Sequence, residues 1–145
     1  MRPAIRQAIT ERGLTSVMNA TKWRELRDGV MNDLPFAPAF QRKDLLEADP
    51  YPETFDEDVN YCGDWPAGID RSAEIEWIRV RPRRRVRRGQ LIPDGLDDIE
   101  EALVALLHRI GVPFLREPGA IRIYGYTVNP GALTGQAEQG SVRRS

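Results

Sequence analysis

The residues of this chain that bear on chemistry are one histidine, one cysteine, a run of arginines and a stretch of carboxylates mixed with aromatic rings. His108 carries the imidazole of a general base and Cys62 the thiol of a nucleophile. Catalysis by the two requires them to meet, with a third group to orient the base. The surroundings of Cys62 (Asn60-Tyr61-Cys62-Gly63) do not have the pattern of an activated thiolate, and a pair this distant in sequence carries no specificity. His108 has a simpler reading: near the C-terminus of a helix an imidazole suits the dipole. Zinc needs clustered nitrogen and sulfur ligands, which one His and one Cys do not supply. Asp56-Glu57-Asp58 lacks the alternating ligands and turn glycine of a calcium loop, and the scattered glycines form no phosphate-cradling loop. The expectation is no catalytic residue, no metal and no cofactor.

Two charged segments remain. Arg81, Arg83, Arg84, Arg85, Arg87 and Arg88 fall within eight residues, a density able to neutralise phosphates. Only Pro82 and Val86 interleave, so no ring is present to stack on a base. The acidic segment upstream offers the run an internal partner, and a basic run is more often solvated or ion-paired than bound to nucleic acid. That acidic segment, LEADPYPETFDEDVNYCGDWPAGID, mixes carboxylates with Tyr51, Phe55, Tyr61 and Trp65. Aromatic anchors ringed by acid suit a surface that covers a basic partner. The residues expected at such a contact are Phe55, Asp56, Glu57, Asp58, Asp64 and Trp65. The competing reading tucks the aromatics into the core, where large rings usually lie.

Composition supports a folded chain. Of 145 residues, 41% are hydrophobic and 30% charged, near the globular average. With 21 basic and 22 acidic side chains the net charge is −1, so no global field draws in DNA or an anionic membrane. A single cysteine cannot close an intramolecular disulfide and suits a reducing compartment. No stretch reaches the roughly 20 apolar residues of a membrane helix, and the start lacks the apolar run of a secretory signal. The cytoplasm is the expected location.

The elements that must position these residues read as follows. Residues 3–12 form a short helix with little apolar content, expected to be a loosely attached N-terminal extension (1–17), with Met18 as an alternative start. Thr21 caps a helix over 22–31 with Trp23, Leu26 and Val30 in one stripe. Residues 39–47 are a weak strand, and a short strand is expected around 59–62. EIEWIRV (74–80), with apolar groups on both faces, is an inner strand. The Arg run after it is an edge or protruding loop, because Pro82 interrupts pairing. Residues 97–110 form the longest apolar helix, capped by Asp97 or Asp98 and ended by Gly111 and Pro113. IRIYGYTV (121–128) alternates as a strand. The fold class is α+β: a small, mostly antiparallel sheet covered on one face by the 97–110 helix, with the 22–31 helix alongside. The domain spans 18–128, and 129–145 is expected to be a disordered tail.

The order of short motifs resembles an uncharacterised family of small bacterial domains. Its members begin near Asn-x-Thr-Lys-Trp, carry a Gly-x-Trp-Asp-Gly-like turn and an Ile-Glu-Trp strand, and finish in Tyr-Gly-Tyr. The matching residues are Asn19, Thr21, Lys22 and Trp23; Gly63, Asp64, Trp65 and Gly68; Ile75, Glu76 and Trp77; and Tyr124, Gly125 and Tyr126. The resemblance covers 18–128. The chain departs from it in Pro66-Ala67 and in the Arg run. The family has no established activity to carry over. Bacterial domains of this size and style are often immunity proteins, so the resemblance points to masking of another protein, a basic toxin being one such partner. The expected function is a non-enzymatic protein-binding domain. The alternative is a nucleic-acid accessory protein using the arginines of 81–88, with nucleic acid the less favoured partner.

Overall fold

The computed structural model describes residues 2–133. In chain order the elements are α1 (Pro3–Arg12), β1 (Thr15–Ser16), α2 (Ala20–Asp33), β2 (Phe40–Asp44), the single-turn α3 (Trp65–Gly68), β3 (Ile75–Val80), β4 (Arg83–Val86), β5 (Gly95–Asp98), α4 (Glu100–Ile110), β6 (Leu115–Glu117), β7 (Ala120–Tyr124) and β8 (Tyr126–Thr127). The main sheet has the order β2-β3-β7-β6, every neighbouring pair antiparallel. The α+β class is as expected and β3 is an inner strand, but only the face of Ile78 and Val80 is buried in the core; Trp77 on the other face is half-buried beneath Arg122.

Ile78 and Val80 of β3 and Ile121 and Ile123 of β7 pack with Trp23, Leu26 and Val30 of α2 and Leu103, Leu106 and Leu107 of α4 in one buried cluster. The 97–110 helix is therefore not the lone cover: α2 is the longer helix and shares the core. Its N-terminus is also corrected. Residues 97–98 belong to β5, where Asp97 and Asp98 pair with Arg84 and Arg83, and the helix begins at Glu100. Asp98 still serves it, accepting from the Glu100 N–H at 2.9 Å. For α2 the cap is Asn19 and not Thr21. Extended backbone at Asn19 leaves its carboxamide free to accept from the Lys22 N–H at 2.8 Å.

The strand expected around 59–62 is reduced to one bridge, Val59 to Arg84. The 121–128 run breaks at Gly125, where a Cβ would stand 2.2 Å from the Ile75 carbonyl oxygen. Only glycine permits that approach. The break separates β8 from β7, so Tyr124 and Tyr126 do not share one strand face. Tyr126 turns into a second cluster and donates its hydroxyl to the Ala73 carbonyl at 2.8 Å.

That cluster overturns the loose N-terminal extension. Ile5 is 1% exposed and packs with Leu45 and Tyr126, flanked by Ile9 and Leu14. After α1, β1 pairs with β8. Arg12 grips Glu76 of β3 with both amino groups, at 3.0 and 2.7 Å. One buried isoleucine, a strand pair and a bidentate ion pair anchor a helix whose overall apolar content is low. At the other end a 3-10 turn spans Pro130–Ala132 and Leu133 is buried, so the expected disordered tail does not include 129–133. Its remainder, 134–145, lies outside the described residues. Among the described residues no helix is long and apolar enough to cross a membrane.

Candidate functional site

The acidic segment and the edge of β2 enclose a cleft of about 650 Å³. Phe40, Arg42 and Asp44 line it from β2; Glu47, Asp49, Tyr51 and Pro52 line it from the following turn; Tyr61, Cys62, Gly63, Asp64, Ala67 and Gly68 close it. Tyr51 is held by its backbone: it exchanges two hydrogen bonds with Arg42, both 2.9 Å. Its side chain is left 82% exposed, and that of Tyr61 52%. Asp64 caps α3, accepting from the Ala67 N–H at 3.1 Å. Gly63 lets this wall close, because a Cβ there would lie 2.5 Å from the Pro38 carbonyl oxygen.

The charge balance inside the cleft is one-sided. Four carboxylates, of Asp44, Glu47, Asp49 and Asp64, stand against one guanidinium, that of Arg42. Arg42 is already committed: it pairs with Asp44 at 2.6 Å and donates to the Gly68 and Asp70 carbonyls, each at 2.8 Å. It ties β2 to the end of α3, and its charge and that of Asp44 offset each other, which leaves Glu47, Asp49 and Asp64 as the unbalanced charges of the cleft. Glu47 and Asp49 are exposed and make no side-chain hydrogen bond or ion pair among the described residues.

The chain belongs to a family of unknown function, DUF6678. The family's profile matches residues 5–130. The resemblance to an uncharacterised family of small domains is thus matched, and the match begins within α1, at Ile5. No curated protein and no solved structure matches the chain. In this member of DUF6678 the short motifs have structural work to do. Asn19 caps α2, Trp23 and Trp65 are core, and Gly63 and Gly125 permit close backbone approaches.

Trp65 and Phe55, the expected anchors, are both withdrawn from the surface. Trp65 is 0% exposed, donates its indole N–H to the Pro38 carbonyl at 2.8 Å and packs on Phe40 with ring centroids 4.7 Å apart. Phe55 is 4% exposed, with the guanidinium groups of Arg79 and Arg81 6.0 and 5.7 Å from its ring centroid. Asp56 pairs with Arg79 at 3.0 Å, and Asp58 with Arg81 and Arg83 at 3.4 and 3.0 Å. Glu57 is exposed and makes no such bond. Of the expected contact residues, only Asp64 lies on the cleft. Sequence reasoning missed Tyr51 and Tyr61 as the exposed rings. The available signal was the hydroxyl, which tolerates water where the ring of Phe does not, and the prolines on both sides of Tyr51.

The arginine run divides. Arg81 and Arg83 are held by Asp58, and Arg81 also donates to the Phe55 carbonyl at 3.0 Å. Arg84 lies 4.4 Å over the Phe36 ring, 3.7 Å from Asp97, and donates to the Cys62 sulfur at 3.2 Å. Arg85, Arg87 and Arg88 are exposed, with no ion pair among the described residues. His108 meets Phe114 edge to face at 5.4 Å and makes no hydrogen bond to Cys62. Among the described residues no group of three or more His, Cys, Asp or Glu is arranged to hold a metal ion.

Proposed function

We propose that this domain is a non-enzymatic binding module that captures a basic segment of another protein in the Tyr51–Tyr61 cleft. The observation that carries the reading is the charge imbalance: the carboxylates of Glu47, Asp49 and Asp64 stand around two exposed tyrosines, while Arg42 and Asp44 are paired with each other. A lysine or arginine side chain entering there gains both an ion pair and a ring face. Tyrosine supplies contact area at low entropic cost, which is why it recurs where proteins bind proteins. Masking of a basic toxin, in an immunity- or antitoxin-like role, is the biological form that fits such a surface. A bacterial cytoplasm suits the single cysteine. Of the arginine run, only Arg85, Arg87 and Arg88 remain free for phosphate contacts, which counts against the nucleic-acid alternative.

The test is calorimetric titration of an arginine- and lysine-rich peptide into the full chain, with a neutral peptide of equal length as control. The basic peptide should bind, and Tyr51→Ala with Tyr61→Ala should weaken it by about 2 kcal/mol or more with the melting temperature unchanged. Equal affinity in the double variant, or equal binding of the neutral peptide, refutes the reading.

A further inference from the structure

The β4–β5 hairpin carries at its tip two side chains that water does not favour. Leu91 is 98% exposed and Ile92 56%. The free arginines Arg85, Arg87 and Arg88 lie on the same ribbon. The counterpart of this arm lies on the same molecule: a cleft with exposed tyrosines and the unpaired carboxylates of Glu47 and Asp49. The two are adjacent. Arg84, at the root of the arm, touches Cys62 in the cleft wall at 3.2 Å. None of residues 85–96 lines the cleft, so the arm does not fill its own.

We propose that two copies of this chain exchange hairpins, each arm seating its arginines and its Leu91-Ile92 tip in the other copy's cleft. The inference rests on the proposed function in that the cleft is a receptor for cations; here the occupant is a second copy. Adjacency lets the exchange close on itself. An arm that starts at the cleft wall can be carried into the opposite cleft by a two-fold axis near that wall, whereas widely separated patches would build a head-to-tail ring or an open chain. Across the contact arginines meet carboxylates and tyrosine faces, and the aliphatic tip leaves water. Nucleic acid suits the ribbon less well, because no aromatic ring lies between Arg85 and Asp98 to stack on a base. The exchange also implies competition: a basic partner must displace the arm.

Sedimentation equilibrium on the full chain tests this. At roughly 10 μM to 1 mM and about 0.02 M salt, the mass should be twice 16.5 kDa. Salt at about 0.5 M should shift it toward the monomer. Arm reversal (R85E/R87E/R88E) and cleft reversal (E47K/D49K) should each give monomers. Mixed one to one, they should recover the dimer, a rescue that misfolding does not produce. A monomeric wild type, a dimer indifferent to both reversals, a mixture that stays monomeric, or growth past two copies overturns the proposal. So does binding of duplex DNA by the arm without self-association. Titrating the basic peptide into a chain with a neutral arm (R85Q/R87Q/R88Q) separates the two readings: binding there without a wild-type dimer sinks the exchange alone, and no binding sinks the cleft as well.

Discussion

Ile5→Ala measures how firmly the first helix belongs to the fold. Ile5 is 1% exposed and packs with Leu45 and Tyr126, with Ile9 and Leu14 at the margin. Truncating a buried isoleucine costs about 2–5 kcal/mol, the spread set by how far the site collapses. This cluster is small and separate from the main core, so it can relax, and a cost of about 2 kcal/mol is expected. The β1–β8 pair and the Arg12–Glu76 grip are untouched by the change, so the loss reports the packing alone. At this chain length about 2 kcal/mol corresponds to a melting-temperature drop of about 6–10 °C. Urea melts followed by far-UV circular dichroism and by tryptophan fluorescence give the number. Coincident transitions show that α1 unfolds with the sheet. A loss under about 0.5 kcal/mol, or a separate early transition of the helix, would return α1 to the status of an appendage.

Burial pushes the Glu76 carboxyl up, but the hydrogen bonds from Arg12 and Lys43 outweigh it and hold it below its ordinary 4.5. A carboxyl depressed by folding stabilises above its unfolded value and stops doing so as pH falls through its folded value. Stability should therefore decline below about pH 4.5, and Glu76→Gln should be less stable at neutral pH with a shallower decline; an unchanged acid profile refutes this. Trp65→Ala, which also orphans the Pro38 carbonyl, should cost about 3–5 kcal/mol and leave peptide affinity per folded molecule unchanged, as paired melts and titrations would show. A binding defect at wild-type stability would put Trp65 back on the surface.

The core was legible because it obeys periodicity. The three-to-four spacing of Trp23, Leu26 and Val30 buries as one stripe, and Ile78 and Val80 bury one face of β3, whereas Trp77 on the other face stays half-exposed under the Arg122 guanidinium. The N-terminal attachment was not legible. Four small apolar residues in α1 say nothing of the Tyr126 and Leu45 that meet Ile5, which are far away in sequence. The site was half legible. An acidic, aromatic segment does border the cleft, but composition cannot tell which rings turn inward. Trp65 was committed by the helix start at Asp64-Trp65-Pro66, and Phe55 by arginines that a linear reading placed elsewhere. The partition of the arginine run was likewise hidden, since it depends on where Asp58 arrives in space.

The bridge that fixes Tyr51 also answers how the sheet avoids unwanted growth. An open four-stranded sheet offers two unpaired rims, each a template for a stray strand. On the β2 rim, Arg42 has its backbone hydrogen bonds occupied by Tyr51, and the buried Gln41 amide donates to the Pro52 carbonyl at 2.7 Å. On the β6 rim, pairing lasts three residues, two of them the charged Arg116 and Glu117. One rim is shielded by a returning segment and the other is too short and too polar to propagate. Strand-by-strand polymerisation is thereby disfavoured at both margins. Solutions of the intact chain should resist fibril seeding until the 51–53 strap is pulled off β2.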